Sequence, residues 1–395
     1  VLMSGRLGVG SLSIPDDEIV TGVVGSMAYS MGGLEEHSSD DLRRLTAGLQ
    51  VSAGLSLEND HFSVGGATAE DDMLMQFELL CALLEHPGYR PDGLTMIASQ
   101  LPLIFQQFAH TPMGPISFDF APELFKGNPR LDMFGISIFP SLEELQAVDM
   151  DAIREVFETR IKNAPLELAI VGDFDIETAI AQAAQTLGAL PERDPSKGKR
   201  PPANASLKGG IYMERFIETQ DEKVTMLMVF PTTDGLEDST RRNLTFLGQV
   251  VDDRLRLEVR ERLGAAYSPK AGAESSSVFE GLGGIMVQAN GDPEKLEELV
   301  EACRSVAGDL AENGITQEEV DRLSEPLINK VRDGMRNNGF WLNELGKAQS
   351  DPSSLDDVRT VLDFYSNIDS AAVSELASKY LLPERASVLV VIPES

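Results

Sequence analysis

The stretch VDMDAIREVFETRIKNAPLELAIVG, residues 148–172, has a counterpart near the end of the chain, IDSAAVSELASKYLLPERASVLVVI, residues 368–392. The two stretches align without a gap. Each predicts a short helix that starts at an aspartate, then a polar turn, then a buried strand. A repeat of this size indicates that the chain contains one structural unit twice.

A second pair of stretches supports the duplication. AGLSLENDHFSVGGATAEDD (53–72) resembles AGAESSSVFEGLGGIMVQANGDPE (271–294), and each predicts two strands followed by an acidic helix start. Between the copies lies PERDPSKGKRPPANAS (191–206), whose proline, glycine and lysine content is typical of a linker. We therefore predict a first αβ repeat domain over 1–192, a linker over 193–206 and a second αβ repeat domain over 207–395.

The order of elements within each copy predicts the fold class. A strand and a helix are followed by a hairpin, two long helices, a further helix and a last strand. In the second copy Asp292 suits a helix N-cap, Gly314 a helix end, and Thr316 with Glu319 a capping box. Because strands and helices do not strictly alternate, a doubly wound parallel sheet is disfavoured. We expect an α+β fold with two homologous domains, each a mostly antiparallel sheet with helices packed on one face.

Composition excludes several classes of function. The chain has 395 residues with a formal net charge of −31, which disfavours binding to nucleic acid or to an anionic membrane surface. No apolar run reaches the 18 residues expected of a membrane span. The first residue is valine, so we expect this to be a piece of a longer protein. The residues alone do not reveal the compartment, for which the periplasm is the expectation and the cytoplasm the alternative.

The sequence shows no catalytic centre of its own. Its four histidines form neither HExxH nor HxxEH: GLEEH (33–37) and ALLEH (82–86) have glycine and alanine where HxxEH needs its first histidine. One histidine and one glutamate do not make a three-ligand zinc site, so no metal site is predicted in this chain. Cys81 and Cys303 lie in apolar helical patterns and are interpreted as buried thiols. No phosphate loop or nucleophile elbow is present either.

The stretch LRLEVRERLGAAYSP (255–269) brings long hydrogen-bond donors to one helix–strand corner. Leucines and valines at intervals of three or four predict one buried helical stripe: Leu244, Leu247, Val251, Leu255, Val259 and Leu263. Asp252 lies four residues before Arg256 and can pair with it. The helix is expected to end at Gly264, with a strand from about Ala265. From the residues alone a structural role is favoured for this corner, since arginines suit a helix C-terminus and tyrosines are common in strands.

The pattern R-E-x-L-G-x-x-Y-S, from Arg260 to Ser268, resembles the second half of the pitrilysin/insulinase family of zinc peptidases. MGGLEEHSSDDLRRLTAGL (31–49) is similar to the third domain of that family, and a long helix ending in NNGFWLNEL (337–345) is similar to its N-x-x-W helix. The closing LPERASVLVVIPES (382–395) resembles the last strand of the family. The similarity runs through nearly the whole chain in order.

The resemblance implies half of a clamshell built from four related αβ domains. The first half of such proteins binds zinc through HxxEH and a distant glutamate, and the second half supplies an arginine and a tyrosine, here Arg260 and Tyr267. We therefore expect a non-catalytic half that binds peptide substrates, with zinc in a complementary HxxEH-bearing half, fused upstream or separate. The alternatives are a structural or peptide-binding module without peptidase activity, or a self-sufficient hydrolase with unrecognised residues.

Overall fold

The structure is a computed structural model, and it describes residues 1–263 and 269–394, with side chains described over 1–259 and 269–394. The strands are β1 (Leu2–Leu7), β2 (Gly54–Leu57), β3 (Phe62–Ala67), β4 (Asp132–Met133), β5 (Ile136–Ser137), β6 (Leu166–Val171), β7 (Tyr212–Glu218), β8 (Val224–Thr232), β9 (Lys270–Ser275), β10 (Gly283–Gly291) and β11 (Ser387–Glu394). The helices are α1 (Ile19–Met31), α2 (Ser39–Leu45), α3 (Met73–Glu85), α4 (Asp92–Ala109), α5 (Ala121–Leu124), α6 (Leu142–Ala147), α7 (Met150–Ile161), α8 (Ile176–Gln185), α9 (Asp238–Leu263), α10 (Leu296–Asn313), α11 (Gln317–Gly334), α12 (Asn338–Leu345), α13 (Ser354–Ser366) and α14 (Ser370–Tyr380). Pro115–Phe120 forms a π-helical turn, and short 3₁₀ turns occur at Gly10–Ser13, Asp16–Glu18, Leu187–Ala189, Pro195–Gly198, Pro293–Lys295 and Pro383–Arg385.

The chain forms two compact units. Unit 1 contains Val1–Pro102, Pro140–Pro201 and Lys330–Val361, and unit 2 contains Leu103–Phe139, Pro202–Asn329 and Leu362–Ser395. Each unit therefore includes one segment from the other half of the sequence, while the main division falls within the predicted linker. The repeat domains 1–192 and 207–395 remain a prediction about sequence duplication, and their limits differ from those of the compact units.

Unit 1 is built on the antiparallel sheet β2-β3-β1-β6. Its core is aromatic: the ring of Phe157 on α7 lies 5.4 Å from Tyr29 on α1 and 5.5 Å from Phe62 on β3, measured between centroids. Helix α1 approaches closely because it has glycine at position 25, where a Cβ atom would lie 2.5 Å from the Phe157 ring. The side of the sheet that carries Met3, Leu7 and Phe62 is therefore packed tightly under α1 and α7.

Unit 2 is built on the sheet β7-β11-β8-β10-β9, in which β7 and β11 are parallel and the other pairs antiparallel. The central strand β8 is buried on both faces, since Met226, Leu227, Met228, Val229 and Phe230 are each at most 3% exposed. Helices α9 and α14 contact the sheet. Phe134, from the segment 103–139, lies beside Val229 and Gly284, so this segment covers another part of the sheet. Burial of both faces explains the continuous apolar run of β8.

The two sheets confirm the repeat and the α+β fold class. The order β6-β1-β3-β2 in unit 1 corresponds to β11-β8-β10-β9 in unit 2, with the same antiparallel pairings. The repeated helices α7 and α14 both start at an aspartate whose carboxylate accepts a backbone N–H, Asp149 from Ala152 and Asp369 from Ala371. The hairpin, long-helix and final-strand order is thus present in both copies.

The predicted helix signals of the second copy are also present. Asp292 caps the 3₁₀ turn that leads into α10, and Gly314 ends α10 with φ of 69°. The capping box forms as predicted, because the Glu319 N–H donates to Thr316 Oγ1 at 3.2 Å and the Thr316 N–H donates to the Glu319 carboxylate at 2.8 Å. The N-cap and the glycine end are therefore reliable marks of the α10–α11 pair.

Two expectations were wrong in detail. The predicted long helix ending in 337–345 is two helices, since α11 ends at Gly334 and α12 begins at Asn338. Cys303 is buried, as predicted, whereas Cys81 is only partly buried.

In the described part of the chain, no helix has the length and apolar character required of a membrane span.

Removal of the Leu247 side chain tests the buried stripe of α9. Leu247 is 0% exposed, whereas Leu257, on the same helix, is 49% exposed. We expect Leu247→Ala to reduce the free energy of unfolding by about 2–5 kcal/mol, through lost apolar burial and the remaining cavity. Leu257→Ala should change it by less than about 1 kcal/mol. Urea denaturation followed by circular dichroism measures both, and equal effects would contradict the assigned orientation of α9.

Candidate functional site

Helix α9 carries Arg260 in its last turn, and its start is firmly capped. The Glu237 carboxylate accepts hydrogen bonds from the backbone N–H groups of Ser239 and Thr240, at 3.1 and 2.7 Å, and from both hydroxyl groups. These bonds lower the pKa of Glu237 to about 2. A negative charge at a helix N-terminus is also favoured by the helix dipole. The first turn of α9 is therefore fixed by one side chain.

The predicted apolar stripe of α9 faces the core of unit 2. Each of its members whose side chain is described is at most 1% exposed: Leu244, Leu247, Val251, Leu255 and Val259. The side chain of Leu263 lies outside the described residues. The helix ends at Leu263, one residue before the predicted cap, and β9 begins at Lys270. Its predicted start near Ala265 also lies outside the described residues.

The two candidate site residues, Arg260 and Tyr267, fall in the range 260–268, whose side chains lie outside the described residues. Arg260 belongs to α9, but its side chain is outside the described residues. Tyr267 lies wholly outside them. Their roles therefore remain predictions. The described residues of α9 and β9 are the elements that flank them in the sequence.

Asp252 joins α9 to the strand that follows the candidate residues. Its Oδ1 accepts a hydrogen bond from the backbone N–H of Ala271, in β9, at 2.8 Å. The helix and strand lie very close here, because a Cβ atom at Gly248 would be 2.6 Å from the Ala273 nitrogen. Glycine at 248 is required by this approach. The helix and β9 are thus held together immediately beside the connection that contains Tyr267.

Asp253, rather than Asp252, is the partner of Arg256. The Asp253 carboxylate, with 8% of its side chain exposed, accepts from Arg256 Nη2 and from Arg322 Nη2, both at 2.6 Å. The predicted pair of Asp252 with Arg256 is therefore wrong, because the spacing of three residues and a second arginine on α11 favour Asp253. Arg256 has a structural role on this evidence.

Arg254 fixes the middle of α9 to the turn between α10 and α11. Its guanidinium binds the Glu319 carboxylate through two bonds, Nε to Oε1 at 2.6 Å and Nη2 to Oε2 at 2.9 Å. It also donates to Asp309 at 2.5 Å and to the Gly314 carbonyl at 2.9 Å. Burial alone would raise the pKa of Glu319, but hydrogen bonds from Arg254 and Thr316 lower it to about 2. The same pairing raises the pKa of Arg254.

Three consecutive residues of α9 thus form hydrogen bonds with three different parts of unit 2. Asp252 bonds β9, Asp253 bonds Arg256 and α11, and Arg254 bonds the α10–α11 turn. Sequence reasoning missed Asp253 and Arg254 as anchors. Glu319 was recognised only as a capping residue, and its second role needed the contact with Arg254, which is distant in sequence.

Two histidines of the described chain lie beside carboxylates. His86 follows the last residue of α3, and its Nδ1 lies 3.1 Å from Glu35 Oε2. His61 Nδ1 lies 2.7 Å from Asp60, whose carboxylate also binds Arg6 and Arg200. No set of three or more His, Cys, Asp or Glu suited to a metal ion occurs among the residues that the structure describes. The expectation of zinc in a complementary half stays a prediction.

Comparison with known proteins gives a partial match to one family. The model described as the peptidase M16 inactive domain matches residues 147–327. A solved peptidase M16 inactive domain from Pseudomonas fluorescens superposes with a TM-score of 0.78 at 18% identity, covering 100% of this chain and 92% of that one. The fold is thus that of a half of a pitrilysin-like peptidase. The match covers fewer than half of the residues, so the finding is a similarity to the peptidase M16 inactive domain together with its fold.

Two curated relatives give the context of this half. The stromal processing peptidase of Pisum sativum is 21% identical over 91% of this chain and 32% of its own length. An uncharacterized zinc protease of Streptomyces coelicolor is 26% identical over 60% of this chain and 52% of its own length. The chain therefore spans about a third to a half of these two relatives, and both are named as proteases.

Loss of the Asp252 carboxylate tests the helix–strand connection. Asp252→Ala should expose the Ala271 N–H and raise hydrogen–deuterium exchange in β9 about fivefold, because a hydrogen bond of about 1 kcal/mol is removed. Asp252→Asn retains an acceptor oxygen and should stay near the wild-type rate. Exchange measured by mass spectrometry on peptides covering 270–275 provides the readout, and unchanged exchange in the alanine variant would contradict the contact.

The pair of Arg254 and Glu319 predicts a pH-dependent stability. The pKa of Glu319 is lower in the folded chain than in the unfolded one, so its stabilisation is complete above about pH 4.5 and falls as the pH approaches about 2. Glu319→Gln should cost about 1–3 kcal/mol at pH 7. The difference in free energy of unfolding between this variant and the wild type should shrink towards pH 2. Urea midpoints measured against pH test this, with Glu318→Gln, an exposed neighbour, as the control.

Proposed function

We propose that this chain is the non-catalytic C-terminal half, or a partner subunit, of a zinc metalloendopeptidase that encloses and cleaves peptides. One observation carries the proposal beyond the similarity to the peptidase M16 inactive domain. Helix α9 ends at Leu263, β9 starts at Lys270, and Asp252 bonds the two together. A short connection between two fixed elements suits residues that must be held in a defined geometry.

Arg260 and Tyr267 are the residues that we assign to substrate. Cleavage of a peptide bond develops negative charge on the scissile carbonyl oxygen. The Tyr267 hydroxyl is a suitable donor to that oxygen or to a neighbouring substrate carbonyl. The Arg260 guanidinium can hold a substrate carbonyl or carboxylate and keep the peptide in register. Both residues would act on peptide that is enclosed between this half and its complement.

The complementary half is assigned the zinc ion, through its HxxEH motif. Zinc would polarise the carbonyl and lower the pKa of a bound water. This chain contributes binding and orientation, and we expect no stoichiometric zinc in it. The complement is either fused upstream or a separate subunit. The stromal processing peptidase of Pisum sativum, of which the match covers 32%, is long enough to contain both halves, which supports the fused arrangement.

The assignment predicts kinetic losses in the assembled enzyme. Arg260→Ala and Tyr267→Phe should each lower kcat/KM for a peptide about a hundredfold, because one preorganised donor contributes about 3 kcal/mol in the transition state. Arg256→Ala is the matched control: it removes an arginine one turn earlier that is bound to Asp253. That variant should retain kcat/KM within about threefold.

The assay uses the full-length protein, or this chain mixed with its HxxEH-bearing half, and a fluorogenic peptide. If both substitutions leave kcat/KM unchanged while the enzyme is active, the assignment of Arg260 and Tyr267 is wrong. No cleavage under any pairing would instead favour a structural or peptide-binding module. Chelator-resistant cleavage by this chain alone would favour a self-sufficient hydrolase. Chelator resistance separates the last case from contamination by a zinc enzyme, and metal analysis of the purified chain tests the expectation that it holds no stoichiometric zinc.

A further inference from the structure

Strand β7 forms an edge of the unit 2 sheet and pairs only with β11 among the described residues. The Ile211 carbonyl accepts from the Val388 N–H at 2.7 Å, so odd-numbered positions of β7 turn their backbone groups towards β11. Even-numbered positions therefore face outward. In keeping with this, the carbonyl of Glu214 accepts from the Arg215 side chain, and that of Glu218 from His110 Nδ1.

The outward backbone is open along the first two thirds of β7. Within the described residues, no hydrogen bond is formed by the N–H groups of Tyr212, Glu214 and Phe216 or by the carbonyls of Tyr212 and Phe216. The side chains of Tyr212 and Phe216 are 56% and 57% exposed. Long apolar edge strands are usually protected, so two exposed aromatic residues beside an open edge are unusual.

A pocket of about 520 Å³ lies on one face of this edge. Phe118, Pro122 and Met213 give it an apolar wall. The charged groups in its lining are already paired, Arg215 with Asp119 at 2.7 Å and Lys208 with Glu123. Because the charges neutralise one another, the pocket suits a large apolar side chain.

A second pocket, of about 340 Å³, lies at the same end of β7 beside Tyr212 and Arg304. Arg304 Nε is buried and has no hydrogen-bond partner within the part of the chain that the structure describes. The exposed Glu384 also contributes to the lining, and the Tyr212 hydroxyl is bound to Glu214. A buried donor without a partner is costly, and a carboxylate is the acceptor that best satisfies a guanidinium.

We propose that the outer edge of β7 binds a short extended segment of a partner protein as an additional strand. Successive side chains of a strand point to opposite faces. A segment with a large apolar residue followed by Asp or Glu would place the apolar side chain against Phe118 and the carboxylate against Arg304. Backbone bonds to β7 supply affinity, and the two pockets supply sequence preference. The proposal does not depend on Arg260 or Tyr267.

Binding of labelled peptides to the full chain tests this proposal. The probe is fluorescein-labelled Thr-Val-Leu-Glu-Val-Thr, followed by fluorescence anisotropy. Only one alternate set of its amides can face β7. N-methylation of one set should weaken binding at least about tenfold, and N-methylation of the other set less than about twofold. Equal effects of the two sets, or no binding of the unmodified peptide at millimolar concentration, would overturn the proposal.

Protein variants locate the site. Glu214→Pro removes an outward N–H and leaves the bonds to β11, so it should abolish binding with the fold intact by circular dichroism. Glu214→Gln, which keeps the N–H, should bind within about threefold of wild type. Arg304→Met should remove the preference for Glu over Gln in the peptide, and Arg359→Met, an exposed arginine elsewhere, should not. Preference for Lys over Glu, or dimerisation of the chain that Glu214→Pro abolishes, would overturn the assigned occupant.

Discussion

The bidentate ion pair between Arg254 and Glu319 holds the helical layer of unit 2 together. It links the middle of the longest described helix to the turn between α10 and α11, and the same arginine binds the carbonyl that ends α10. Neighbouring Asp252 and Asp253 extend this fixation to β9 and α11. A helix anchored at three successive residues has little freedom to rotate or slide, which is the property that the role proposed for Arg260 would require.

The duplication shows how one fold supplies two different sheets. Both copies keep the strand order of a last strand, a first strand and a hairpin. The copies differ at the edge: in the described chain the second sheet has β7 outside its last strand, whereas β6 is the outermost strand of the first sheet. The second copy also has the long α9 where the first has the short α1 and α2. These differences, and not the shared core, distinguish the surfaces of the two units.

Much of the fold could be predicted because its signals are local. The aspartates at 149 and 369, the capping box at Thr316, and the periodicity of α9 each depend on residues a few positions apart. The predicted pairing of Asp252 with Arg256 was wrong because helical spacing alone cannot decide between two adjacent aspartates. The choice of Asp253 depends on Arg322, which α11 contributes. Arg254 and Arg304 were not identified for the same reason, since their environments are formed by elements distant in sequence. The assignment of Arg260 and Tyr267 came from family resemblance, and periodicity alone favoured a structural role.

The exchange of segments between the two units has a consequence for synthesis of the protein. Residues 103–139 leave the ribosome before any strand of the sheet with which they are grouped, and unit 1 lacks residues 330–361 until most of the chain has been translated. Unit 1 therefore cannot be completed during translation of its own half, whereas the early segment of unit 2 is already present when the second half is translated. A gene divided at the polar linker would yield two products, each without one segment of the unit that it mainly encodes.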